Sequence, residues 1–102
     1  MKKRKVVLSS KFKDSFKNYI LYVKNNASSE MAEHVKSGIL ETCKKLAEFS
    51  GYSKELYILD KSTEYRSVTK WNYLIIYTIK DDEIWILNII HTSKNPSKRN
   101  DI

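Results

Sequence analysis

The chain has a single cysteine, Cys43, a single proline, Pro96, and two glycines in 102 residues. One cysteine excludes an internal disulfide, which fits a reducing compartment. The scarcity of glycine and proline removes most element breakers and predicts long uninterrupted elements. Long apolar runs are also missing. Leu74–Tyr77 and Ile84–Leu87 are among the longest, far short of the roughly 18–20 residues that span a bilayer. The start, Met1-Lys-Lys-Arg-Lys, resembles that of a signal peptide. Only Val6-Val7-Leu8 follows before polar residues return, so no apolar signal core is present. The expected location is the cytoplasm, with no membrane association.

Acids are in the minority. Nineteen Lys and Arg oppose 12 Asp and Glu, a formal net charge of +7. Such a surplus favours polyanionic partners, either nucleic acid or an acidic protein segment. It is concentrated early: residues 1–25 hold eight basic residues and one acid, Asp14. With 41% hydrophobic and 30% charged residues, the chain has an ordinary globular balance and enough length for one core, hence one domain over 1–102.

Residues 1–4 read as a basic tail, and charge runs at termini are commonly only solvated. Lys5–Leu8 is β-branched and reads as a strand. Ser9 and Ser10 are good helix caps. Phe12, Phe16, Tyr19, Ile20 and Val23 then recur at helical spacing and predict an amphipathic helix over 11–25. A polar break, Asn25–Ser29, precedes a second stripe of Ala32, Val35, Ile39, Thr42, Cys43 and Leu46. This predicts a helix over about 30–49, with Gly51 as its C-terminal cap. So short a loop implies an antiparallel helical hairpin.

After Gly51 the period changes. Leu56–Leu59 and Tyr65–Val68 read as short strands, Trp71–Lys80 and Glu83–Thr92 as longer ones. The last two are joined tightly at Asp81-Asp82. Regular pairing about that turn sets Thr78 by Trp85, Ile76 by Leu87, Leu74 by Ile89 and Asn72 by His91 on one face. Tyr77, Ile86, Ile75, Asn88, Tyr73 and Ile90 would then share the other. Ser93–Ile102 reads as a polar tail. The expected fold is α+β: an N-terminal strand and an antiparallel two-helix hairpin packed on a mainly antiparallel sheet of about four strands.

That order, length and charge resemble the RelE/ParE toxin superfamily. The resemblance rests on Arg66 followed by Trp71-Asn-Tyr-Leu-Ile-Ile-Tyr, the Asp81-Asp82 turn, and Glu83-Ile-Trp-Ile-Leu-Asn-Ile-Ile-His91. Thr92–Pro96 matches a basic tail. Val7-Leu8-Ser9, Phe16, Tyr19-Ile20, Ala32, Ile39 and Leu46–Phe49 match the helical hairpin. The family implies one of two activities: RelE-type toxins cut messenger RNA in the ribosomal decoding site, and ParE-type toxins poison DNA gyrase without known nuclease chemistry. Either implies a cognate antitoxin whose tail wraps the toxin. The chain departs from the RelE pattern after its last strand, where Ser93 and Lys94 replace an Arg and no Tyr follows His91. The Tyr77-to-His91 spacing is closer to ParE.

Cleavage of RNA by its own 2′-hydroxyl needs a base, an acid and cations on the phosphate, and no metal. His91 is the titrating candidate, since imidazole serves either role near neutral pH; its plain alternative is a polar strand terminus. Arg66 is the phosphate clamp, with Lys70, Lys94 and, more weakly, Lys61 as further phosphate contacts; the plain alternative is a surface cation at Arg66 and a solvated charge at each lysine. Tyr73 and Tyr77 can stack on bases or belong to the core. Trp71 and Trp85 read as packing residues, Glu55 and Glu64 as surface acids, His34 as exposed, and Cys43 as core. Two distant histidines and one cysteine give no metal-ligand spacing, and no cofactor is expected. The first expectation is a ribosome-dependent messenger RNA endonuclease. The alternative is a gyrase poison without catalysis, and a third possibility is an inactive member or general nucleic-acid-binding module.

Overall fold

A computed structural model describes residues 4–48, 65–81 and 83–92. In these segments the chain runs β1 (Lys5–Leu8), α1 (Ser10–Asn26), α2 (Ser29–Lys45), β2 (Tyr65–Lys70), β3 (Tyr73–Lys80) and β4 (Glu83–His91). The four strands form one sheet in the order β1-β4-β3-β2. Both β2–β3 and β3–β4 are antiparallel, and β1 lies parallel to β4. This is the α+β arrangement that the sequence predicts. The expected strand at Leu56–Leu59 and the cap at Gly51 lie outside the described residues.

The helices start where their caps dictate. Ser9 Oγ accepts the Phe12 N–H at 3.1 Å and Ser28 Oγ accepts the Met31 N–H at 3.0 Å, each relieving an orphan donor of a first turn. The second helix ends at Lys45 and not near residue 49; Leu46, Ala47 and Glu48 instead donate to Cys43, Lys44 and Lys45 carbonyls in tightened turns. Burial follows the predicted stripes. Phe12, Ala32, Val35, Ile39, Cys43 and Leu46 are buried, and Phe16, Tyr19, Ile20 and Val23 pack against the core they form with the sheet.

Pairing of β3 with β4 is as expected through Lys80–Glu83, Ile79–Ile84, Thr78–Trp85 and Tyr77–Ile86. Beyond this it changes. Ile76 pairs with Asn88, Ile75 with Ile89, Leu74 with Ile90 and Tyr73 with His91, leaving Leu87 as an extra residue in a β-bulge. The predicted partners Ile76–Leu87, Leu74–Ile89 and Asn72–His91 are therefore corrected. A regular ladder would set Asn88 opposite Ile75, on the helix-covered face, and would turn Ile89 away from it. One extra residue exchanges them, because strand side chains alternate with period two. Ile75 and Ile89 join the helix-side core, and Leu74, Ile76 and Ile90 form a second buried cluster with Tyr65 packed on it. Asn72 and Trp71, expected inside the strand, form the two-residue turn before β3.

The bulge is tied to the first helix. Ser9 Oγ donates to the Leu87 carbonyl at 2.8 Å and Ser9 N–H to the Ile86 carbonyl at 3.0 Å. Since Leu87 is the surplus residue, deleting it preserves every β3–β4 pair. The expected cost is modest, about 1–2 kcal/mol for the lost Ser9 bond and local twist, read as a small shift in the urea midpoint.

Candidate functional site

Residues paired across an antiparallel ladder share a face. Lys70, Tyr73 and His91 therefore form one row across β2, β3 and β4, on the helix side of the sheet. Next comes the row Val68, Ile75, Ile89, and then Arg66, Tyr77, Ile86. Sequence-predicted Lys70, Tyr73 and His91 are thus brought together. Arg66 shares their face but stands four residues along β2 from Lys70, roughly 13 Å at the usual strand rise. Lys61 and Lys94 lie outside the described residues.

The surroundings of His91 are aromatic. Its ring meets Tyr73 edge-on at 5.3 Å, and Tyr73 in turn meets Tyr19 at 5.4 Å. The His91 backbone N–H donates to the Tyr19 hydroxyl at 3.0 Å, binding the end of β4 to α1. Tyr73 is only 8% exposed. Burial, aided by the neighbouring Tyr19 and Tyr22 hydroxyls, pushes its phenol above the usual range, so it is a neutral donor near pH 7 and not a base. Its ring is packed among neighbours and presents no open face like that of an exposed stacking residue.

Beside this row, Lys70 Nζ sits over the Trp71 ring, 4.5 Å from its centroid, and the His34 ring lies 5.0 Å from the same indole. Sequence reasoning placed neither Tyr19 nor the His34–Trp71 pair at the site. The available signal was Gly38: an isolated glycine inside a helical pattern commonly marks close packing, and here Trp71 lies on it. Cys43 is in the core as expected. Burial pushes its thiol up to about 12, so it stays protonated and is no nucleophile. Among the described residues no three His, Cys, Asp or Glu side chains converge as a metal site would require. No helix among them is long and apolar enough to cross a membrane.

A separate feature lies along the helical hairpin. A groove of about 300 Å³ has a floor of Leu8, Phe12, Phe16, Ile20, Leu21 and Leu40 and is edged by Lys13, Lys17 and Lys36. Among the described residues no acid lines it, and Leu21 is 44% exposed.

The fold is similar to that of solved proteins. One, from the chromosomal ParDE toxin–antitoxin system of P. aeruginosa, superposes with a TM-score of 0.73 at 16% identity, over 89% of this chain and 98% of that one. A conserved hypothetical protein from Helicobacter pylori gives 0.53 at 22% identity, over 89% and 97%. No curated protein matches by sequence. The model of the family described as ParE toxin of type II toxin-antitoxin system, parDE, matches residues 6–96. The chain therefore belongs to the ParE toxin family, within the RelE/ParE superfamily, and its system includes an antitoxin partner.

Proposed function

We propose that this toxin stops growth by binding DNA gyrase, the alternative that the sequence raised, and not by cutting ribosome-bound messenger RNA. The observation that carries this reading is the layout of the helix-side face. In-line cleavage needs base, acid and phosphate clamp within reach of one phosphodiester. His91 stands instead in a row with buried Tyr73, with Tyr19 on its backbone, while Arg66 is two rows away along the sheet. Lys70 holds its ammonium over Trp71. The matched family, ParE, points the same way.

The test pairs two assays. Purified protein is expected to inhibit supercoiling by gyrase, and primer extension during expression is expected to show no cuts within codons. Codon-phased cuts with supercoiling unaffected would restore the nuclease expectation, with His91, Arg66, Lys70 and Tyr73 as its residues. In that case His91→Ala and Arg66→Ala relieve toxicity.

The antitoxin, on this reading, lays an acidic amphipathic segment in the helical-hairpin groove. Apolar floor and lysine edge fit that chemistry. Lys17→Glu with Lys36→Glu is expected to weaken antitoxin binding at least tenfold, and the loss should shrink at high salt. Both lysines are exposed, so the melting temperature should barely move. Titration calorimetry against the purified antitoxin checks this.

A further inference from the structure

We propose that the Trp71 indole is an anchor by which this toxin grips its protein target. The inference rests on the gyrase reading only for the target's identity. Two costly local choices converge on this one ring. Trp71 holds the left-handed backbone region, with φ 53°, in a two-residue turn where Gly or Asn is the ordinary occupant. An asparagine, Asn72, stands beside it, yet the tryptophan takes the strained position. The second choice is Gly38, inside α2, where glycine is a poor helix former. A β-carbon there would collide with Cη2 of Trp71 and come within 2.7 Å of its Cζ3.

Neither cost is repaid by complete burial. Trp71 remains 45% exposed, whereas Phe12 and Tyr77 are fully buried. Backbone strain kept at an exposed side chain points to function, and tryptophan is enriched among the residues that dominate protein interfaces. The surroundings select the partner's chemistry. His34 and Lys70 already pack on the ring, which reduces its use as a platform for a nucleobase. A half-exposed indole beside an ammonium fits an apolar pocket rimmed by carboxylates on a protein.

Two variants test this, each verified as folded by circular dichroism and thermal melting. Trp71→Ala removes the ring. Gly38→Ala keeps the ring but displaces it, while adding the best helix former; a shift in tryptophan emission reports the displacement. Both are expected to lose about 30-fold in gyrase affinity and to lose growth arrest on expression. A folded Trp71→Ala protein that arrests growth and inhibits supercoiling like the parent overturns the inference. So does loss of binding to a single-stranded RNA oligonucleotide with gyrase affinity unchanged. A parent that arrests growth while leaving gyrase untouched ends the gyrase reading alone. Loss of arrest in both variants would then still support the anchor.

Discussion

Replacing Phe12 by alanine is expected to remove a large part of the toxin's stability. Phe12 is fully buried, stacks on Phe16 with centroids 5.4 Å apart, and belongs to the core shared by both helices and the sheet. Truncating such a side chain costs about 3–5 kcal/mol, from lost transfer energy and from the cavity left behind. A domain of this size has a total stability of roughly 5–15 kcal/mol. The site also sits three residues after the Ser9 cap, so the cavity opens beneath the first turn of α1, where the helix is bonded to β4. Urea unfolding should show the midpoint falling steeply or no native baseline at all, with growth arrest lost in parallel. Phe12→Leu leaves a smaller cavity and should cost clearly less than the alanine change, retaining toxicity.

The second large effect concerns Asn88, which is 4% exposed and whose Oδ1 accepts the Ile89 N–H at 2.9 Å. Asn88→Asp is isosteric and keeps that acceptor, but above its pKa it places a charge where water is excluded. Burial raises a carboxyl's folded pKa above its unfolded value of about 3.9. The folded state then holds its proton to higher pH than the unfolded chain. Stability is accordingly near that of the parent below pH 4 and falls as pH rises through the folded pKa. At pH 7 the loss should reach several kcal/mol. Thermal melts of parent and variant between pH 3.5 and 8 check the sign: the difference must widen as pH rises. A difference constant with pH would mean that the carboxylate is solvated.

How much was legible in advance differs by element. The apolar stripes Phe12-Phe16-Tyr19-Ile20-Val23 and Ala32-Val35-Ile39-Cys43-Leu46 announced two helices, and Ser9-Ser10 the beginning of the first to within a residue, because cap and period are local properties. The close pairing of Lys80 with Glu83 was legible for the same reason. The β3–β4 register was legible only up to Tyr77–Ile86. Past that point, alternation within the strand competes with the demand that Asn88 leave the helix-side core, and a bulge resolves the conflict. The early end of α2 and the turn at Trp71-Asn72 were likewise settled by packing across the molecule. Of the candidate site, Lys70, Tyr73 and His91 were named from the sequence, but nothing local showed that they form one row, or that Arg66 stands apart from it.

Taken alone, the order of residues determined composition, charge, the periodic faces and the caps. These are short-range quantities, and they sufficed for an α+β domain with a helical hairpin on a sheet. The tertiary structure alone decided which residues meet: Ser9 with the bulge at Leu87, Tyr19 with His91, Gly38 with Trp71. Each joins residues that are more than 30 positions apart in the chain. Such contacts depend on strand register and helix docking, and one inserted residue in a strand is enough to exchange its two faces.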